Sequence, residues 1–359
     1  MILPLGFSSS AEGKLKILIA GNEGYIGSRL SPWLSSRGHR VSGLDTGFYR
    51  DGCLYQDPIE MPYAPSTYFR DIRAVTPHDL EGFDGVVHLG ELSNDPLGQN
   101  NPALTFRINH EGSVKLATAA KSAGVRRFVY ASSCSVYGVG TGEFLDETAA
   151  LNPQTAYASC KVLVERALAE LNDSRFTVVV FRNATAYGPS PRMRFDIVLN
   201  DLCASAWTAR RIAMTSDGSP WRPLVHVEDI CEAIRCALEA PADSVSGRVF
   251  NVGKIGENYR VREIAEAVAR ELPGCEVVVG PPAADNRSYR VSFEKIAVGL
   301  PGFVARWTAQ QGAAELFRLF ERIQLGPAGY AYRAYTRLKQ LTYLQDTKQV
   351  DADLFWLPR

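Results

Sequence analysis

Residues 15–27 read LKILIAGNEGYIG, and this stretch indicates the fold of the chain. Its apolar first half is typical of a buried parallel strand, and apolar residues at helical spacing follow over residues 24–37. Between the two elements, Gly21, Gly24 and Gly27 permit a tight turn and a close approach of the backbone to a pyrophosphate at the helix N-terminus. The spacing GxxGxxG differs from the usual GxGxxG. The stretch therefore predicts a dinucleotide-binding turn, with a glycine turn that serves only packing as the alternative.

A second strand is predicted over residues 40–45 and ends in Asp45, 24 residues after Gly21. A carboxylate at this place can accept hydrogen bonds from the adenosine ribose hydroxyls and would repel a 2′-phosphate. The position therefore favours NAD over NADP, and we expect NAD as the cofactor. The alternative is a turn aspartate that precedes Thr46 and Gly47.

Strand and helix alternate through the first half of the chain, and glycine and proline cluster after residue 187. The further predicted strands are 83–89, 127–132 and 176–182, and the further predicted helices are 102–124 and 157–171. This pattern predicts an α/β fold with a doubly wound parallel sheet of the Rossmann type and a smaller C-terminal substrate-binding lid. The predicted division is a floppy extension over 1–13, a dinucleotide-binding domain over 14–188 to which 223–252 return, a lid over 189–222 and 254–330, and a helical tail over 331–359.

The composition excludes several classes of protein. The 359 residues include 39 basic and 39 acidic side chains, and this zero net charge argues against a nucleic-acid partner. No apolar run reaches the ~18–20 residues of a membrane span, and the N-terminus lacks the basic start of a signal peptide. Seven cysteines without a CxxC pair, and no metal-ligand spacing, predict reduced thiols, no metal site and a cytoplasmic location.

Tyr157 and Lys161 are four residues apart on a predicted helix, so they share one face. A lysine ammonium beside a phenol stabilises the phenolate, which makes the tyrosine a usable base nearer neutral pH. Ser133 follows the strand 127–132, at the end of a parallel strand where sites form, and its hydroxyl could hold a substrate oxygen. We expect these three side chains to be the catalytic residues.

With these motifs the chain resembles the extended short-chain dehydrogenases/reductases of the NAD-dependent epimerase/dehydratase family, typified by UDP-galactose 4-epimerase, over about residues 14–320. The further motif residues are Asp71-Ile72, His88-Leu-Gly-Glu91, Asn109, Ser132–Gly138, Arg182–Pro189 and Arg222–Asp229. The resemblance implies cofactor binding by Gly21, Gly24, Tyr25, Ile26, Gly27, Asp45, Asp71, Ile72, Leu89, Gly90, Glu91, Asn109, Ser132, Tyr157, Lys161, Asn183 and Ala184. As alternatives, Ile72 and Leu89 fit a core, and Asn109 fits a satisfied amide on a helix face.

The two residues after Ser133 bear on the reaction. The resemblance implies that 4,6-dehydratases carry Asp-Glu, an acid and a base for the elimination of water, where this chain has Cys134 and Ser135. We therefore disfavour dehydration. Because neighbouring side chains of a strand face opposite sides, we expect Cys134 to lie in the core. The reaction that we expect is therefore hydride transfer assisted by Ser133, Tyr157 and Lys161.

The resemblance implies a sugar-nucleotide epimerase that oxidises a sugar hydroxyl carbon to a ketone and takes the hydride back on the other face. The alternative is a one-way NAD-dependent dehydrogenase or reductase on a nucleotide sugar or another hydroxylated small molecule. A non-catalytic NAD-sensing protein is disfavoured because the Tyr–Lys pair is present. The helices 102–123 and 157–171 resemble the pair that forms a dimer interface in this family, so we expect a homodimer.

A nucleotide-diphosphate sugar needs cationic groups at its diphosphate, ideally arginines. The predicted substrate-binding residues are Ser133, Ser135, Thr185, Arg192, Arg194, Arg222, Arg287 and Tyr289. Arg222 and Arg287 match family positions that resemble phosphate-binding ones. Thr185 stands where the epimerases usually carry an asparagine, and residues 192–202 depart from the epimerase lid, so the nucleotide and the sugar stay open. His226, in an apolar stretch, is interpreted as a packed histidine rather than a base.

Overall fold

The strand Lys16–Ala20 lies at the centre of a parallel sheet because its apolar side chains are buried on both faces. The computed structural model describes residues 14–56, 66–93, 95–140, 142–282 and 288–358. The predicted extension 1–13 and Arg287 lie outside these ranges.

The strands in chain order are β1 (Lys16–Ala20), β2 (Arg40–Asp45), β3 (Ser66–Phe69), β4 (Gly85–His88), β5 (Arg127–Ser133), β6 (Phe144–Leu145), β7 (Thr177–Asn183), β8 (Thr185–Tyr187), β9 (Arg211–Ala213), β10 (Trp221–His226), β11 (Arg248–Val252), β12 (Asn258–Arg260), β13 (Glu276–Val278) and β14 (Arg290–Val291). The α-helices are α1 (Gly27–Ser35), α2 (Asp95–Asn100), α3 (Pro102–Thr105), α4 (Ser113–Ser122), α5 (Ala156–Leu171), α6 (Val198–Ala209), α7 (Val227–Glu239), α8 (Ala242–Val245), α9 (Val261–Glu271), α10 (Glu294–Gly299), α11 (Ala309–Arg322), α12 (Pro327–Tyr330) and α13 (Arg337–Asp346). Short 3-10 turns cover Ile72–Ala74, Pro77–Leu80, Cys134–Tyr137 and Arg333–Tyr335, and a π-helical turn covers Phe106–Gly112.

Seven of these strands form one sheet in the order β3-β2-β1-β4-β5-β7-β11, with every neighbouring pair parallel. The predicted doubly wound Rossmann sheet is therefore confirmed. Its strand order reverses at β1, whose neighbours are β2 and β4, and ligands of such sheets bind outside the carboxyl ends of the strands at this switch point.

Alternate side chains of β1 build two separate cores. Ile17 and Ile19 contribute to the cluster that includes Leu30 of α1, whereas Leu18 contributes to the cluster that includes Leu116 of α4. Helices thus cover both faces of the sheet, as the alternation of strand and helix predicts.

The predicted helix over 102–124 is present as one continuous run from Pro102 to Ser122, but its centre is π-helical over Phe106–Gly112. Pro102 occupies the first turn, and the side chain of Asn101 caps that turn by accepting from the Leu104 N–H. The wider central turn carries Asn109 inward toward the loop that follows β4.

The second half of the chain builds a smaller unit with its own core. It contains the three-stranded sheet β12-β10-β8, the strand pair β13–β9 and the mutually packed helices α6, α9 and α11. The segment 223–252, predicted to return to the main sheet, is divided between the two units. The strand β10 pairs with β8 and β12 of the small sheet, whereas β11 pairs with β7 of the main sheet.

The described part of the predicted tail 331–359, residues 331–358, contains one 3-10 turn, the helix α13 and a single bridge between Val350 and Trp356. Its buried side chains Leu341, Leu344 and Leu354 pack in one cluster with Phe48, which follows β2. The tail therefore lies against the β2 side of the main sheet.

Candidate active site

A cleft runs along the carboxyl ends of β1, β2, β4, β5 and β7. Its first part is lined by the glycine turn together with Asp45, Asp71, Ile72, Leu89, Gly90, Arg194 and Arg337. Its second part is lined by Ser132, Ser133, Ser135, Tyr157, Lys161, Asn183, Ala184, Thr185, Arg222 and Tyr289. Ile26, Leu89, Glu91 and Arg194 line both parts, so the two form one continuous cleft. We call the first part the cofactor end and the second the catalytic end.

The glycine turn has no room for side chains at two of its positions. Gly21 has φ +92°, and a Cβ there would lie 2.7 Å from the Gly90 nitrogen. A Cβ on Gly27 would lie 2.1 Å from the Gly21 oxygen. The turn runs directly into the N-terminus of α1, whose dipole favours a negatively charged group. This cradle fits the pyrophosphate of a dinucleotide.

Asp45 ends β2 beside the glycine turn, and both of its carboxylate oxygens are fixed by backbone donors. Gly47 donates to Oδ1 over 2.7 Å, and Glu23 donates to Oδ2 over 3.0 Å. Burial nevertheless raises the pKa of Asp45 to about 6. The carboxylate is therefore charged at neutral pH and stands where the ribose of a dinucleotide would meet it.

Tyr157 and Lys161 lie on one face of α5, which begins at its N-cap Thr155, where the side chain accepts from the Ala158 N–H. The Lys161 Nζ lies 5.4 Å from the centre of the Tyr157 ring. Burial raises the pKa of Tyr157, whereas Lys161 and a hydrogen bond with Ser133 act to lower it. The net effect is a raised pKa, so the lowering expected from the Tyr–Lys spacing is outweighed by burial. Lys161 and Ser133 supply a cation and a hydroxyl that would stabilise the phenolate once it forms.

Glu91 supplies a contact that the sequence analysis missed. Its Oε2 lies 2.9 Å from the Lys161 Nζ, and its Oε1 accepts from Tyr130 over 2.8 Å and from Ser113 over 3.1 Å. Burial alone would lower the pKa of Lys161, but Glu91, Tyr157 and Glu165 together outweigh burial and raise it. The sequence signal for this contact is the position of Glu91 shortly after the buried strand β4, because sites of parallel sheets form at the carboxyl ends of the strands.

A buried network fixes α5 against the sheet. Glu165, one turn beyond Lys161, forms an ion pair of 2.7 Å with Arg182 of β7 and accepts from Ser132 of β5. Arg182 also donates to the Tyr137 hydroxyl over 3.1 Å. Because Glu165 is joined to two central strands, the helix face that bears Tyr157 and Lys161 is held at the sheet edge.

Two buried polar atoms at the catalytic end have no hydrogen-bond partner among the described residues: the Oγ of Ser135 and the Oδ1 of Asn183. Buried polar atoms without partners are costly, so these two fit contacts with a bound molecule. Cys134 instead lies in the core with 1% of its surface exposed, and its thiol donates to the Arg182 carbonyl. The predicted core position of Cys134 is thus confirmed.

The structure separates the predicted cofactor residues into two groups. Most line the cleft, but Asn109 does not; its amide bonds both backbone groups of Leu92 and so fixes the loop after β4. Ser132 lines the catalytic end, while its hydroxyl is engaged by Glu165. Asn109 thus fixes the loop after β4, and Ser132 joins β5 to α5.

The predicted substrate residues are also divided. Thr185, Arg194, Arg222 and Tyr289 line the catalytic end. Arg192 does not, because it forms an ion pair of 2.6 Å with Glu23 beside the glycine turn. His226 is outside the cleft; it stacks on Trp307 with ring centres 4.1 Å apart and bonds Glu315 over 2.8 Å.

Within the described ranges, no group of three or more His, Cys, Asp or Glu side chains could hold a metal ion. The same part of the chain has no helix with the length and apolarity that crossing a membrane requires.

The parallel sheet, the glycine turn with Asp45 and the Tyr157–Lys161 pair at one cleft define a dinucleotide-dependent enzyme of the extended short-chain dehydrogenase/reductase class. The sequence profile of the NAD dependent epimerase/dehydratase family matches residues 17–253. The chain belongs to this family, and its cofactor is NAD.

Three similar proteins illustrate the range of the family. A UDP-glucose 4-epimerase from Mycolicibacterium smegmatis is 30% identical over 71% of this chain and 82% of its own length. A UDP-N-acetyl-alpha-D-glucosaminuronate decarboxylase from Bacillus cytotoxicus is 25% identical over 87% of this chain and 99% of its own. The structure of MoeE5 in complex with UDP-glucose and NAD is 26% identical, covers 86% of this chain and 100% of MoeE5, and superposes with a TM-score of 0.72.

Proposed function

We propose that the protein is an NAD-dependent sugar-nucleotide epimerase. The observation that carries the proposal is that Tyr157, Lys161 and Ser133 meet at the catalytic end of the same cleft whose other end holds the glycine turn. The UDP-sugar named for the similar epimerase and bound by MoeE5 supports a nucleotide-diphosphate sugar as the substrate.

In the proposed reaction, NAD held by the glycine turn and Asp45 would supply a reversible hydride acceptor for a sugar carbon. Tyr157 would take the proton of the sugar hydroxyl on that carbon in its ionised form, which is the minor form near pH 7 because burial raises its pKa. Lys161 stabilises the phenolate, and Ser133 holds the substrate oxygen. In the return step Tyr157 gives the proton back to the oxygen. The sugar turns in the site between the two steps, so the centre is inverted.

The residues after Ser133 support hydride chemistry without dehydration. The elimination of water needs an acid and a base near the sugar. Cys134 faces the core, and burial raises the pKa of its thiol. It therefore serves as neither the acid nor the base of an elimination at neutral pH. Ser135 offers a neutral hydroxyl at the catalytic end.

The substrate diphosphate is proposed to bind near Arg222, with Tyr289 beside it. Both line the catalytic end opposite the glycine turn, and guanidinium groups bind phosphate oxygens with paired hydrogen bonds. Thr185 and Ser135 then face the sugar.

The test is a panel of UDP-, dTDP-, GDP- and CDP-sugars, assayed for epimer formation with the NADH absorbance recorded. Replacing Tyr157 by Phe should lower kcat by roughly 10²–10⁴-fold, because the proton acceptor is removed. The Ser135→Ala variant, which changes a substrate contact, serves as the matched control and should lose less.

Full activity of the Tyr157→Phe variant would contradict the mechanism. An NADH absorbance that rises and does not return to baseline would show that the enzyme is a one-way dehydrogenase and not an epimerase. Absence of turnover on the whole panel, with NAD bound, would favour a binding protein.

A further inference from the structure

The C-terminal tail contacts the backbone around the cofactor end at several points. Gln340 donates to the Phe48 carbonyl over 2.9 Å, and the Trp356 indole donates to the Thr46 carbonyl over 2.7 Å. Thr46 and Phe48 directly follow Asp45 and line the cofactor end themselves. The tail therefore supports the loop that a dinucleotide would contact.

Arg337, the first residue of α13, is the tail residue that lines the cofactor end. It is 2% exposed, and its guanidinium donates to two backbone carbonyls, those of Ala334 over 3.2 Å and Arg192 over 3.1 Å. The same group lies 4.1 Å from the centre of the Tyr49 ring. Among the described residues, no carboxylate forms an ion pair with this guanidinium.

Among the described residues, the guanidinium of Arg337 lacks a directly paired carboxylate. Arg194, the second buried guanidinium at the cofactor end, is already paired with Asp196 over 2.8 Å. The backbone N–H of Arg337, not its guanidinium, donates to Asp196. Both oxygens of Asp45 accept from backbone donors. Asp45 and Asp196 both act on Arg337 at longer range, but neither forms a direct ion pair with its guanidinium among the described residues. A buried cation without a directly paired anion is costly.

We propose that Arg337 binds a diphosphate at the cofactor end and is a cofactor-binding residue contributed by the tail. An anion beside Arg337 would give its guanidinium a direct ion-pair partner, and guanidinium groups bind phosphate through paired, charge-assisted hydrogen bonds. The NAD pyrophosphate is the favoured source, because Arg337 lines the cleft with the glycine turn and Asp45 and is not among the residues of the catalytic end. The inference is independent of which reaction the enzyme performs.

The experiment measures the affinities of the full-length protein, freed of bound nucleotide, for NAD, ADP, UDP and adenosine by calorimetry. Arg337→Gln should weaken ADP and NAD roughly 10–100-fold, the range of a charge-assisted hydrogen bond, while adenosine changes less than about threefold. The control is Arg333→Gln, which removes another tail arginine that pairs with Asp51 outside the cofactor end. This control should leave all four affinities unchanged.

The ligands separate the sources of the diphosphate. A loss confined to UDP would assign Arg337 to the substrate and overturn the cofactor assignment. An equal loss for adenosine and ADP, or no loss for either diphosphate, would overturn the proposal.

A measurement on the unaltered protein covers the case in which Arg337→Gln does not fold. ADP should slow amide hydrogen exchange across the start of α13, whereas adenosine should not. Equal protection by ADP and adenosine, or none by ADP, would contradict a phosphate contact at Arg337.

Discussion

Glu91 changes the electrostatics of the catalytic end because it places a buried carboxylate 2.9 Å from the catalytic lysine. His88 does not neutralise it, since burial lowers the pKa of His88 to about 4 and leaves the imidazole uncharged near pH 7. The Lys161–Glu91 pair is therefore close to neutral as a unit. Tyr157 then gains less from the lysine than it would beside an isolated ammonium.

This arrangement predicts the effect of Glu91→Gln on the pH dependence of kcat/KM. Glu91 raises the pKa of both Lys161 and Tyr157, so its neutral replacement should lower both. The acid limb reports ionisation of Tyr157 and the basic limb reports loss of the Lys161 proton, so both limbs should move to lower pH.

The matched control for Glu91 is Tyr130→Phe, which removes a hydrogen bond to the carboxylate and keeps its charge. The pH profile of kcat/KM should shift less in Tyr130→Phe than in Glu91→Gln. A profile that keeps its position in Glu91→Gln would show that the carboxylate does not act on the reacting pair.

Asp45 predicts a pH-dependent choice between NAD and NADP. Its pKa in the folded protein is raised to about 6, so the carboxylate is ionised above that pH and protonated below it. Repulsion of the 2′-phosphate is therefore lost on acidification. The ratio of the Kd for NADP to the Kd for NAD, measured by calorimetry, should fall by about an order of magnitude between pH 8 and pH 5.

Asp45→Asn separates this effect from titration of the 2′-phosphate itself, whose pKa is ≈ 6. At pH 8 the Asp45→Asn variant should have a lower ratio of the Kd for NADP to the Kd for NAD than the parent. On acidification its ratio should change less, because only the 2′-phosphate still titrates. Identical pH dependence in both proteins would exclude Asp45 as the discriminating group.

Helix periodicity was sufficient to predict that Tyr157 and Lys161 share one face, and both line the cleft with Ser133. Cys134 is buried as predicted, but it lies in the 3-10 turn after β5, so strand alternation is not the reason for its burial. The contact of Glu91 with Lys161 and the position of Arg337 could not be predicted in this way. Each joins residues far apart in sequence, and which side chains meet there is decided by packing of whole elements.

At the scale of elements, five of the seven strands of the main sheet were predicted within one or two residues, whereas β3 and β11 were not predicted as strands. The apolar runs of the predicted strands are short and are bounded by glycine, aspartate or serine, so the signal is local. The assignment of β10 to the small sheet was not predictable, since a buried strand has the same pattern in either sheet. Only the pairing of Leu224–His226 with Thr185–Tyr187 decides it.

Gly312 of α11 packs against Tyr187 of β8, so replacing this helical glycine by alanine should destabilise the protein. A Cβ on Gly312 would lie 2.2 Å from the ring of Tyr187, which is 1% exposed. Gly312→Ala should therefore lower the free energy of unfolding by roughly 1–3 kcal/mol through overpacking, although alanine normally favours a helix by about 1 kcal/mol. Urea unfolding measures the change.

The control is Gly329→Ala in α12, where the nearest atom to a new Cβ is the end of the flexible Leu325 side chain at 3.1 Å. We expect less destabilisation there than at Gly312. A Gly312→Ala protein as stable as the parent would show that α11 can move away from Tyr187 without cost.

For the molecule as a whole, the tail joins the C-terminal residues to the N-terminal half of the sheet. Trp356 contacts Phe48 with ring centres 5.8 Å apart in addition to its bond with Thr46. Trp356→Ala should lower the free energy of unfolding by about 1–2 kcal/mol, the sum of one net hydrogen bond and a partly exposed aromatic contact.

Leu357→Ala is the comparison for Trp356, because the two neighbours are similarly exposed, at 41% and 43%. Chemical unfolding of both variants should show the larger loss for Trp356→Ala. Equal losses would mean that the indole contributes nothing specific to the attachment of the tail.

The attachment of the tail has a consequence for the order in which the molecule is made. The bonds of Trp356 to Thr46 and of Gln340 to Phe48 join residues 310 and 292 positions apart. At ~5–20 residues per second of synthesis, the ribosome releases the partners of each bond on the order of 15–60 s apart. A nascent chain therefore exposes an unfinished nucleotide cleft for that interval, and Arg337 joins the cleft only after the whole of the main sheet has been synthesised.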